Sequence, residues 1–265
     1  MTPRPAILAA LLAASAPLAL PPWVHEVAAH LARPSRPAAP PVHLDAWGLR
    51  VWASGPGGAG PAGDAALPLR ADPRVVQSRL TLHPSRTVLV VMDPWRPSGV
   101  PEIDGPAIAA MPRVVDAMRW ARDAGIAVAV ATHPPGPRHV PLHPSVRAVV
   151  DEGGVEVWTH DTPSSTLRTR LALRGVDTIV WAGFDAAMCV LSRPSGIYRL
   201  GEGYRRVVLE DATAAADPWP GVAPEDAHRA ALRVMASSGV WVATWRRFGM
   251  KSPQNPAGEV RDVRG

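Results

Sequence analysis

The chain has 265 residues, 47% of them hydrophobic and 19% charged, which is enough apolar material for one large domain or two small ones and argues against wholesale disorder. Its net charge of +5 comes from arginines scattered among Asp and Glu, with Lys251 the sole lysine. No basic helix, aromatic platform or zinc-finger spacing accompanies them, which argues against a nucleic-acid partner. A single cysteine, Cys189, rules out an intrachain disulfide and leaves the compartment open.

The N-terminus has a short basic start ending at Arg4 and an almost wholly apolar run over 5–21. These match the charged and apolar regions of a secretory signal. The run is shorter than the roughly 20 residues of a spanning helix, and prolines interrupt it. Residues 1–22 are therefore expected to be an export signal or N-terminal anchor, placing the protein in a secreted or periplasmic compartment; a cytoplasmic extension is the alternative. No later segment could cross a membrane. Residues 23–83 form a Pro/Gly-rich extension, with linker composition over 34–41 and a Gly/Pro loop over 55–63. Within it, 42–52 could supply a short strand and 80–84 a piece of edge or lead-in chain. The folded core is expected to begin near Pro84 and run to 248, leaving a tail over 249–265.

From there the pattern is regular. Residues 87–92 are a continuous apolar, β-branched run ending at Asp93, as in a parallel strand buried on both faces. Residues 107–124 carry Ile108, Met111, Val114, Val115 and Met118 at helical spacing, and Gly125 ends the helix. A strand over 126–131 leads into a histidine- and proline-rich loop reaching His143. A short helix (144–150), a strand (155–158) and a helix (167–173) come next. Then follow a strand (178–182), the Cys189 segment, a strand (206–209), a helix (224–237) and a strand (240–244). Alternation at these lengths implies βαβ units, hence an α/β fold with three αβα layers and an open, mostly parallel, doubly wound sheet of about six strands.

Ligands of such sheets bind at the carboxyl ends of the strands, where strand order reverses. Asp93, His133 and the Cys189 loop all fall there. Cys189 opens a helix-like run after a strand ending in Gly183, and helix N-termini favour thiolates. The plain alternative is a small buried hydrophobe. Convergence with Asp93 and His133 favours a nucleophile.

The segment Ala182-Gly-Phe-Asp-Ala-Ala-Met-Cys-Val190, with Gly203-Tyr204 and Glu210-Asp-Ala-Thr-Ala214, resembles the isochorismatase-like cysteine hydrolases, the superfamily of nicotinamidases and N-carbamoylsarcosine amidases. Further matches are the strand ending in Asp93, the spacing Leu167, Leu171, Gly175, and the tail from Glu225 through His228 to Thr244. The resemblance covers roughly 84–248. It implies a hydrolase acting on the C–N bond of a small amide-type substrate, and commonly a homo-oligomer. Asp93 would take the thiol proton and Cys189 would attack. A cis peptide at Phe184–Asp185 would turn the Asp185 N–H inward, to form an oxyanion hole with the N–H of Cys189.

Two departures stand out. The family's lysine has no counterpart: counting back from Leu167 lands on Glu156 without gaps, or on Trp158 or His160 with a short deletion. None keeps an ammonium that would depress the thiol pKa. His160 could substitute when protonated, and an arginine could reach in from elsewhere. Second, Ser192-Arg-Pro-Ser-Gly196 puts proline and glycine where a helix interior would lose stability, so the helix after Cys189 is expected to kink or restart. Nicotinamidases also bind a divalent cation, but His133, His139 and His143 lack their ligand pattern. No metal or other cofactor is expected. His133 is expected to line the pocket, and Trp95 to form an apolar wall or to pack. The missing lysine leaves a non-catalytic small-molecule binder as the alternative function.

Overall fold

The structure, a computed structural model, describes residues 39–50, 74–136, 140–216 and 221–244. The stretch expected to be an export signal or anchor, the C-terminal tail and His139 lie outside these residues. In chain order the strands are β1 (Val42–Arg50), β2 (Arg74–Leu82), β3 (Thr87–Met92), β4 (Ala127–Thr132), β5 (Val155–Thr159), β6 (Thr178–Gly183), β7 (Arg205–Thr213) and β8 (Trp241–Ala243). The helices are α1 (Pro101–Asp123), α2 (Pro144–Asp151), α3 (Ser164–Leu173), α4 (Cys189–Ser192), α5 (Ile197–Leu200) and α6 (Pro224–Ser237). No helix among the described residues is long and apolar enough to cross a membrane.

All eight strands join one sheet in the order β2-β1-β8-β7-β6-β3-β4-β5. The six from β8 to β5 run parallel, while β1 lies antiparallel to both β8 and β2. The sheet thus has eight strands rather than about six, and the ordered core begins well before Pro84. Both added strands come from the stretch that reads as an extension. Their cue is period-2 burial: Leu44 and Ala46 on β1, and Leu80 and Leu82 on β2, are buried, whereas His43, Asp45 and Arg79 are exposed. Linker-like composition on either side hides that cue.

β3 is buried along its whole length, because helices cover both faces of the sheet. Leu89 and Val91 pack with Met111, Val114 and Met118 of α1 and with Val146 and Val149 of α2. Val88, Val90 and Met92 pack on the other face with Leu167 and Leu171 of α3, Ile197 and Leu200 of α5, and Met235 of α6. Helix α1 starts six residues before the apolar periodicity suggests. Pro101 occupies its first position, where a missing N–H costs nothing. The Asp104 carboxylate then accepts the N–H groups of Ser98 (2.9 Å), Gly99 (2.6 Å) and Val100 (3.1 Å). Those bonds, led by that from Ser98, hold its pKa below the usual carboxylate range.

From β3 the chain winds outward through β4 to β5, and from β6 through β7 to β8. The order therefore reverses between neighbours β3 and β6, and the crevice at their carboxyl ends is where this topology places a ligand site.

Candidate active site

Asp93 follows β3 directly and is 1% exposed. Its φ of 43° is the only positive value among the described non-glycine residues, and its N–H donates to Ala131 O at 2.8 Å. This backbone turn delivers the carboxylate to the end of the sheet. Positive φ at a non-glycine residue is uncommon outside functional turns.

Among the described residues, three cations or potential cations approach it. His160 Nε2 lies 2.6 Å from Asp93 Oδ1 and, against a carboxylate, is the donor. His133 Nε2, at the end of β4, is 3.9 Å from the same oxygen, and the two imidazoles meet edge to face with centroids 5.0 Å apart. Arg193 Nε is 3.9 Å from Oδ2. Oδ2 itself has no hydrogen-bond partner among the described residues.

Of the three positions open for the missing lysine, the fold brings only His160 to Asp93. Trp158 is buried in the α3 side of the core, and its Nε1–H donates to Glu156 at 3.1 Å. Glu156 also pairs with Arg174. His160 lies just past β5, and its N–H donates to Thr132 O at 3.0 Å, extending the β4–β5 ladder by one residue.

The nucleophile loop begins at Gly183, with φ 100°, where an added Cβ would collide with Met92 O. Only glycine fits. The Phe184–Asp185 peptide is cis. The buried Asp185 carboxylate accepts from Ala187 N–H at 2.7 Å and Ala216 N–H at 3.3 Å, while Asp185 O accepts from Met188 and Val190 N–H. Burial raises the Asp185 pKa, and the bonds from Ala187 and Ala216 oppose it. Asp185 therefore fixes the turn through its side chain while its own N–H points toward the thiol. The N–H of Cys189, first residue of α4, is one that a helix start leaves without an intrahelical acceptor.

Cys189 is 9% exposed. Helix α4 is four residues long, too short for the helix-terminus stabilisation that the sequence suggests. Burial first, then the charge of Asp93, push the thiol up to about 11, while the Asp185 N–H and the Arg193 guanidinium pull it back. The chain breaks at Arg193 and restarts as α5, as the proline and glycine there imply. Arg193 is the residue that sequence reading left unnamed; its only signal was a position four after the cysteine.

Trp95 packs against Phe184, with ring centroids 6.2 Å apart, and bridges to Leu142. His143, far from Asp93 in role, accepts from Ser145 N–H at 3.3 Å as the N-cap of α2. The ligand atoms of Asp93, His133 and His160 lie within 4.8 Å of one another, a donor set that suits a first-row transition metal. Asp93 Oδ1 and His160 Nε2 are nonetheless at hydrogen-bond distance, closer than two ligands sit around one tetrahedral ion, about 3.3 Å for bonds near 2.0 Å.

Residues 87–247 match the family model of the isochorismatase domain. Among solved structures, the chain is similar to an isochorismatase from Pseudomonas putida KT2440, with 20% identity, TM-score 0.50, and 60% of this chain and 88% of that one covered. Nicotinamidase PncA from Bacillus subtilis aligns at 20% identity and TM-score 0.47, over 60% of this chain and 99% of that one. An octameric hydrolase of unknown specificity from Escherichia coli aligns at 15% identity and TM-score 0.44, over 61% and 76%. No match is found among curated proteins.

Proposed function

Since the chain belongs to the isochorismatase family, we propose that it is a cysteine-dependent hydrolase cleaving the C–N bond of a small amide. The observation that carries this is the pairing of Cys189 with Asp93 across the β3–β6 switch point, where the thiol feels the carboxylate's charge. Asp93 accepts the thiol proton as Sγ attacks the carbonyl carbon. The N–H groups of Asp185 and Cys189 hold the developing oxyanion. As the C–N bond breaks, Asp93 returns the proton to the leaving amine. Water, deprotonated by Asp93, then cleaves the thioester and restores the thiol. His160 orients Asp93 through Oδ1.

A thiol held near 11 favours a second reading, a member of the fold that binds a small molecule without turning it over. A panel of small aliphatic and aromatic amides, incubated with wild type and Cys189→Ala, separates the two. Ammonia or amine release by wild type alone supports the hydrolase; binding without release in both supports the second reading.

A further inference from the structure

Asp93 is flanked by two kinds of cation. The imidazoles of His160 and His133 lie on the Oδ1 side and are charged only when protonated. The guanidinium of Arg193 lies on the Oδ2 side and is charged at any working pH. We propose that Arg193 is the permanent cation of this site, standing in electrostatically for the absent lysine, and that the broken helix after Cys189 is what delivers it. The inference rests on Cys189 being the nucleophile.

Delivery follows from the chain path. Arg193 is four residues after Cys189, on the same side of a helical turn, and its N–H still closes that turn on Cys189 O at 3.2 Å. Pro194 disfavours a helical conformation for the residue before it, and Arg193 is extended, with φ −61° and ψ 160°. The chain then folds back against the turn. Trp181 Nε1–H donates to Ser195 O at 2.9 Å, and a Cβ on Gly196 would sit 2.8 Å from Val190 O. A continued helix would carry the chain away from the thiol. Here Pro194, Ser195 and Gly196 tie it down beside Cys189, with the Arg193 side chain 38% exposed at the mouth of the site. The two departures from the family pattern are thereby one adaptation: the lysine is lost from β5, and a cation is gained on the nucleophile's own helix.

Among the described residues, Asp93 after β3, the Asp185 N–H after β6 and Arg193 at the end of α4 act on the thiol, while His133 after β4 and His160 after β5 stand against the Asp93 carboxylate. Of these, Arg193 and the Asp185 N–H act to lower the thiol pKa. Removing a cation that acts on the thiol should raise its pKa by about one unit. Thiolate then falls about tenfold at a given pH, and the higher intrinsic nucleophilicity recovers about threefold, leaving alkylation about threefold slower.

The test uses the full-length protein and two alkylating probes, neutral iodoacetamide and anionic iodoacetate, over pH 7–10. Arg193→Gln should lower the iodoacetamide rate about threefold across this range and lower the iodoacetate-to-iodoacetamide rate ratio. Arg193→Lys should restore both, which a merely structural role would not do. An unchanged profile and ratio in Arg193→Gln overturns the inference, as does a loss that Arg193→Lys fails to rescue while both variants keep the wild-type melting temperature. The probes read the thiol directly, so a failure to find amide hydrolysis leaves this test standing.

Discussion

Replacing Asp93 by asparagine should move two properties of Cys189 in opposite directions. Asn keeps the shape of the side chain and an oxygen that can accept from His160, but removes the charge that is the second contribution to the raised thiol pKa, after burial. At pH 8 a thiol titrating at about 11 is ionised to about one part in a thousand. Each unit by which the pKa falls multiplies the thiolate about tenfold and lowers its intrinsic reactivity about threefold, so iodoacetamide should react about threefold faster per unit. Hydrolysis should instead fall by roughly 10²–10⁴, because no group remains to take the thiol proton and return it to the leaving amine. Stopped-flow alkylation and amine release, measured on the same Asp93→Asn preparation, give both numbers. Slower alkylation in the variant would show that Asp93 already draws the proton from the resting thiol, and would refute the like-charge account. Unchanged hydrolysis would remove Asp93 from the mechanism.

Other consequences follow from the same geometry. Between the ordinary thiol value of 9.0 and the folded value of about 11, the native state keeps a proton that the unfolded chain has lost, so stability falls as pH rises through this window, by about 3 kcal/mol in all. Cys189→Ser lacks this term, and its urea midpoint should fall less than that of wild type between pH 8 and 11. Gly183→Ala places a Cβ against Met92 O at φ 100°; it should cost more than about 3 kcal/mol, seen as a lower melting temperature or loss of soluble protein. Burial holds His143 below its ordinary pKa, so the native state favours the neutral ring that caps α2. That stabilisation is present above the unfolded pKa and is lost as pH falls through the lowered folded value. His143→Ala should therefore cost about 1 kcal/mol near pH 8 and less at pH 5, read from hydrogen exchange of the α2 amides.

The parallel half of the sheet was legible because strands buried on both faces leave unbroken apolar runs, as over 88–92 and 179–182. β1 and β2 were less so. A half-exposed antiparallel pair alternates instead of running apolar, and its alternation is short and flanked by Pro and Gly. Asp93 and Cys189 could be singled out because strand ends are marked by where an apolar run stops. The helix-start argument for Cys189 depended on helix length, and Pro194 with Gly196 reduces that length to a single turn. Burial of the side chain is then the largest influence on the thiol, a property that no local pattern reports.

β5 itself offers Asp93 no cation: its residues are Val155, Glu156, Val157, Trp158 and Thr159. β5 is the sheet's last strand on that side. Its Trp158 fills the core, and its half-exposed Glu156 is held by Trp158 and Arg174. Just past the strand, His160 reaches Asp93 through Nε2 and bonds Oδ1. Its short hydrogen bond fixes the carboxylate's orientation and leaves Oδ2 open toward the Arg193 side. One long flexible ammonium, able to serve carboxylate and thiolate at once, has no single equivalent among the described residues. Orientation and charge have been divided between a rigid ring on one side of Asp93 and a guanidinium on the other. The division is testable by double substitution. If the roles are separate, the effects of His160→Gln and Arg193→Gln on thiol alkylation should add within about 0.5 kcal/mol, whereas a larger coupling would mean that both act through a single contact on Asp93.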